Sequence, residues 1–116
     1  MSDKKADNII LSKKERINKI DNMLDDEKKR IKKLENIQSN YHNLNTNISK
    51  CTSLLAQSIH GNNINDYLSD IQNTSEKIMR ASDEQIDSEL KSIKKRVNKL
   101  YFEKEKIIKD SEKEKK

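Results

Sequence analysis

Proline and tryptophan are absent from this chain, and glycine and cysteine occur once each, as Gly61 and Cys51. So little turn chemistry argues against an all-β or α/β domain, which would need many tight turns. A lone cysteine excludes an intrachain disulfide and a cysteine-based metal site. The two histidines, His42 and His60, lack ligand spacing. No apolar run approaches the length of a membrane span. The opening stretch MSDKKADNIILSKKE has no signal-peptide core, since its longest apolar run is IIL. Synthesis in the cytoplasm without a cleaved leader is expected, and any export would use a route that needs none.

Charge is what the chain has in abundance: 39% of 116 residues, 25 basic and 20 acidic, with a formal net charge of +5. The signs interleave, as in DDEKKRIKKLE, and form no basic block. Nucleic-acid binding calls for a clustered basic stripe with arginines or aromatics at phosphate or base distance. Four arginines (Arg16, Arg30, Arg80 and Arg96), far apart in the sequence, and scattered lysines do not make one. Charge-rich, aromatic-poor chains often stay disordered because they bury too little apolar surface. Periodicity decides against disorder here.

From Ile17 to Ile59 an apolar stripe advances by alternating threes and fours, twelve steps over 42 residues, interrupted only by Glu27. A mean step of about 3.5 keeps one seam facing a partner helix, as in a coiled coil. Ser12 and Glu15 in SKKE have the form of a capping box, which would start this helix. A second stripe runs from Ile64 to Ile107 with a mean step of about 3.6, again helical. Asn63 to Asp66 offer its N-cap, and small polar residues around RASDEQ permit a kink near residues 81–83.

Folding the chain back at Gly61 brings the stripes into antiparallel register. Leu55 then faces Leu68, Ile48 faces Ser75, Leu44 faces Ile78, Leu34 faces Leu90, Ile31 faces Ile93 and Leu24 faces Leu100. The expected fold is an all-α, antiparallel two-helix hairpin. Helix 1 would span about 12–59, the turn 60–64 and helix 2 about 65–110. A flexible segment (1–11) would precede the helical domain (12–110), and a charged tail (111–116) would follow it. Glycine suits the turn because it can take the left-handed conformation that closes a helix. The expected seam comprises Leu24, Ile31, Leu34, Tyr41, Leu44, Ile48, Leu55, Leu68, Ile71, Ile78, Ile86, Leu90, Ile93, Val97 and Leu100. Two helices touching along one seam bury little, so a partner completing a four-helix bundle is expected. Leu54, Tyr67, Met79, Phe102 and Ile108, just off the seam, are what it would cover.

No catalytic, cofactor or metal constellation is present: no Gly-rich phosphate loop, no His-Glu-x-x-His and no nucleophile elbow. Cys51, on the stripe, reads as a buried, inert thiol. His60 reads as a solvated turn residue, and Asp25, Asp26 and Glu27 as solvated helix surface. An enzyme is not expected.

The arrangement resembles the WXG, or ESAT-6-like, proteins of type VII secretion: about a hundred residues, two long helices and a central glycine turn. The tripeptide matching the family's Trp-x-Gly is Ile59-His60-Gly61, with the glycine kept and the tryptophan replaced. The family's Tyr-x-x-x-Asp/Glu signal is matched by Tyr101 and Glu105 in YFEKE. The missing tryptophan makes the chain most similar to the divergent small helical proteins encoded beside LXG-domain toxins. That resemblance implies a partner or targeting factor, or a small co-secreted substrate. It would bind the helical N-terminal domain of a toxin or another WXG-like protein. Tyr101 and Glu105 would then present an export signal to the secretion ATPase. The alternative is a non-secreted coiled-coil scaffold or tether acting by self-association, as a homodimer. A nucleic-acid-associated helical protein is the weakest of the three.

Overall fold

The computed structural model describes residues 2–114, with side chains over 12–112. Two helices, α1 (Ser2–Ser58) and α2 (Asn62–Glu114), are joined by Ile59, His60 and Gly61. They pack against each other as an all-α antiparallel hairpin, with no strand among the described residues. The expected fold class is the observed one.

The helix limits differ from the sequence expectation. Residues 2–11, expected as a flexible lead-in, are helical, so α1 begins at Ser2 and not at Ser12. A capping box acts only where the backbone leaves helical geometry at its serine. No glycine or proline precedes Ser12, and the helix propagates through it. At the other end α2 passes the expected limit at residue 110 and runs to Glu114. The last part of the expected tail, residues 115 and 116, lies outside the described residues. Through residues 81–83, where the sequence permits a kink, α2 continues as helix.

Gly61 does a different job from the one expected. Ile59 N donates to Leu55 O at 2.9 Å and closes α1, and Ser58 Oγ donates to Leu54 O at 2.9 Å. Asn65 N then donates to Gly61 O at 3.1 Å, the first bond of α2. Gly61 is therefore the N-cap of α2, and Asn63 lies inside the first turn. Its φ is not positive, so the left-handed closure is not used. A Cβ at this position would meet only Ile64 Cδ1, at 3.8 Å, an ordinary contact. Glycine thus leaves the cap without a side chain, and the first turn of α2 carries no acidic residue. Gly61→Asp would supply a capping oxygen and a negative charge at the helix N-terminus. It is expected to stabilise the hairpin by roughly 0.5–1 kcal/mol, read as a higher melting temperature by circular dichroism. A lower melting temperature would mean the turn needs glycine after all.

The helix pair divides into two compact units. The terminal unit comprises the chain up to Ile31 and from Lys91 onward; the turn unit is Lys32–Leu90. In the terminal unit Ile20, Leu24 and Ile107 form a buried cluster with Ile17, Val97 and Leu100 packed against it. Ile93 is also buried and Ile31 half-buried, so the expected seam holds here. Glu27, the break in the apolar stripe, is not solvated surface: it is 7% exposed. Arg96 Nε donates to Glu27 Oε1 at 3.1 Å and Arg96 Nη2 to Oε2 at 3.4 Å. Arg30 Nη1, one turn along α1, donates to Oε1 at 3.0 Å. Lys104 Nζ donates to Asp21 Oδ1 at 2.7 Å. The Arg96–Glu27 and Lys104–Asp21 pairs join α1 to α2 in the antiparallel register expected from the stripes.

Candidate functional site

In the turn unit the helices meet through polar side chains. Ser75 Oγ donates to Asn45 Oδ1 at 2.8 Å, and Gln72 Nε2 donates to Ser49 Oγ at 3.3 Å. Gln38 Nε2 donates to Asp83 Oδ1 at 3.1 Å and to Asp87 Oδ1 at 3.3 Å. His42 Nε2 lies 3.0 and 2.9 Å from Asp83 Oδ1 and Oδ2. Thr52 is buried with its hydroxyl donating to Ser49 O at 3.0 Å. Ile86 is buried, while Leu34, Ala56, Leu68, Met79 and Leu90 are half-buried.

Polar pairing along this contact displaces part of the expected seam. Tyr41, Leu44, Leu55, Ile71 and Ile78 are exposed, Leu44 and Ile78 by 55% and 54%. The physical reason lies one residue away on each helix. Gln38, Asn45 and Ser49 recur at nearly the same spacing as Ile37, Leu44 and Ile48, so either stripe of α1 can face α2. The polar stripe does so because each of its side chains finds a hydrogen-bond partner across the contact. That removes the usual penalty for burying polar groups. Met79, expected just off the seam, is turned half inward, whereas Leu54, Tyr67, Phe102 and Ile108 are exposed.

The outward stripe makes a surface. Exposed Ile37, Tyr41 and Leu44 and half-buried Ile48 follow one another at steps of four, three and four on one face of α1. Ile37, Tyr41 and Leu44 line an indentation of about 280 Å³ together with Asn40. Ile48 joins Tyr67, Ile71 and Ile78 of α2 in a groove of about 590 Å³, with Asp70 at its edge. Contiguous exposed apolar surface of this kind marks interaction sites on soluble proteins.

On the α1 side the residues around it carry almost no charge. Residues 36–65 contain one formal charge, Lys50, in a chain that is 39% charged overall. Charged residues are depleted from the cores of protein–protein interfaces because their desolvation is costly. This gap marks the α1 half of the surface; Tyr67, Ile71 and Ile78 on α2 lie outside it, among Asp66, Asp70, Glu76 and Lys77.

The turn motif and the tyrosine signal are accounted for as follows. Ile59, His60 and Gly61 are the only connecting residues between the helices, and all three are exposed. Tyr101 is 44% exposed and Glu105 is exposed, four residues apart on α2 and so on one face of it. Cys51 is exposed and not buried as expected. Among the described residues there is no cluster of three or more His, Cys, Asp or Glu side chains fit for a metal ion. Nor is any helix there long and apolar enough to cross a membrane.

One ionisable group in the turn unit is perturbed. The Asp83 carboxyl is held below its ordinary value of 3.8, first by the Gln38 amide. Partial burial opposes this, and His42 lowers it again through its hydrogen bond and its charge. A carboxyl whose value is depressed on folding stabilises the fold above its unfolded value. That contribution is lost as pH falls through the folded value. Asp83→Asn is therefore expected to give a shallower loss of stability below about pH 4 than the wild type, measured as urea midpoints across that range. Identical acid limbs for the two proteins would show that the clasp adds nothing.

No family model matches the chain, and neither does any curated protein or solved structure.

Proposed function

We propose that this protein is a helical adaptor. The exposed apolar face of its turn unit packs against a helical hairpin of another protein and completes a four-helix bundle. The observation that carries this reading is the exposure of Tyr41, Leu44, Ile71 and Ile78 on one unit, the α1 part of that face lying in the nearly uncharged stretch 36–65. A partner helix pair supplies the apolar side chains that the groove at Ile48, Ile71 and Ile78 lacks.

The resemblance to WXG-like proteins names the partner class: the helical N-terminal domain of a secreted toxin, or another WXG-like chain. It also gives the complex a destination, the type VII secretion machine, with Tyr101 and Glu105 contributing the signal its ATPase reads. Both side chains are exposed on α2, as recognition requires.

Light scattering of the purified chain, alone and mixed with products of adjacent genes, tests the adaptor reading. A one-to-one complex that Ile71→Glu and Ile78→Glu abolish, with helicity unchanged, supports it. A monomer in every mixture overturns it, and a stable dimer of the chain alone replaces it with the scaffold reading. The signal is tested separately. Tyr101→Ala should stop secretion of both partners while leaving their complex intact, and undiminished secretion would refute that role.

A further inference from the structure

A second groove lies in the terminal unit, built from different residues and different chemistry. It has a volume of about 820 Å³ and an apolar floor of Ile20, Met23 and Ile107. Ile20 and Ile107 belong to the buried cluster and are almost fully covered, while Met23, 49% exposed, is the accessible apolar residue of the lining. Methionine adapts its shape to whatever covers it, which is why it recurs on docking surfaces.

The two walls carry opposite charge. On the α1 side stand Lys13, Arg16 and Lys19, all basic. On the α2 side Glu103 and Asp110 flank Lys106, leaving that wall net acidic. A flat anionic surface such as a membrane or a nucleic-acid duplex would meet the basic wall favourably and the acidic wall unfavourably. A helix lying along the groove can satisfy both, since its two flanks carry independent residues. Helices in coiled coils are selected and oriented in this way, by the charges that border their apolar stripe.

We propose that this groove seats a single amphipathic helix from another protein. Its apolar stripe covers Met23 between the walls, its acidic flank lies against Arg16 and Lys19, and its basic flank lies against Glu103 and Asp110. Because the walls differ in sign, only one chain direction of a given helix matches both, so the groove sets orientation as well as partner choice.

The test uses the full chain and a synthetic helical peptide with leucine along its seam, glutamate on one flank and lysine on the other. Binding is measured by fluorescence anisotropy. Arg16 and Lys19 are exposed, so the double variant Arg16→Glu, Lys19→Glu keeps the buried cluster and should retain its helicity. It is expected to bind this peptide about tenfold or more weakly than the wild type, with most of the loss at low salt. A peptide with lysine on both flanks should reverse that order and prefer the variant. The proposal is overturned if both proteins bind the first peptide equally. It is also overturned if the wild type prefers the all-lysine peptide, or if phosphatidylserine vesicles bind it where the first peptide does not. Failure here leaves the adaptor reading standing, because that reading depends on Ile71 and Ile78 in the turn unit.

Discussion

Replacing Arg96 with alanine is expected to destabilise the hairpin by about 2 kcal/mol, whereas Glu27→Leu is expected to leave it at least as stable as the wild type. The asymmetry follows from where the two charges sit. The Glu27 side chain is 9% exposed and takes two hydrogen bonds from Arg96, whose own side chain is 53% exposed. Removing Arg96 leaves a buried carboxylate with only Arg30, on its own helix, to compensate it. A fully buried pair broken in this way loses about 3–5 kcal/mol. The surviving Arg30 bond and the exposure of Arg96 reduce the loss. Leucine at position 27 removes the need for compensation and continues the apolar stripe from Leu24 to Ile31.

What Glu27→Leu should cost is register. The three-residue connection and the polar pairs of the turn unit exclude a heptad slide. An apolar seam in the terminal unit can still shift locally, whereas a buried charge with its partner on the facing helix holds one alignment there. Spin labels at Lys28 and Lys95, both exposed, would report this as a distance distribution. It should be narrow in the wild type and broadened in Glu27→Leu. Denaturation measures the stability arm of the same experiment. Equal losses for Arg96→Ala and Glu27→Leu would show that the pair stabilises the fold outright and carries no specificity.

Two helices and their connection are legible in the amino-acid order, because proline is absent and both stripes keep helical period. The register is legible too: Asp21 with Lys104 and Glu27 with Arg96 fall where the stripes place them. Even the polar break at Glu27 is visible, though a seam position cannot be told from a solvated one by residue type alone. In the turn unit hydrophobicity pointed to the wrong contact. It locates apolar side chains at helical spacing, but it does not say whether the surface they bury against belongs to the same chain. Asn45, Ser49, Gln72 and Ser75 look like surface residues in one dimension, and only their pairing across the helices makes them a seam. Ser12 and Gly61 show the same limit on a smaller scale. Each has the chemistry for a helix end, and the neighbouring turns decide whether and how it is used.

The division between an inward seam and an outward face predicts a double dissociation. Ile93 is 4% exposed in the terminal unit, and Ile93→Ala is expected to cost about 2–4 kcal/mol in the isolated chain, a large share of a small hairpin's stability. Ile78 is 54% exposed, and Ile78→Ala should change the stability of the isolated chain by less than about 0.5 kcal/mol. In the proposed complex the two trade places. Ile78 lies in the groove a partner helix fills, so truncating it should weaken association by about 1–2 kcal/mol, or roughly tenfold in Kd. Ile93→Ala would weaken it only through the fraction of chain left unfolded. Urea denaturation of the free chain and titration with the partner separate the two axes. A cost for Ile78→Ala in the free chain comparable to that for Ile93→Ala would mean that the turn unit uses its apolar stripe as its own seam in solution. Asn45, Ser49, Gln72 and Ser75 would then face water, and the docking surface would have to be sought elsewhere.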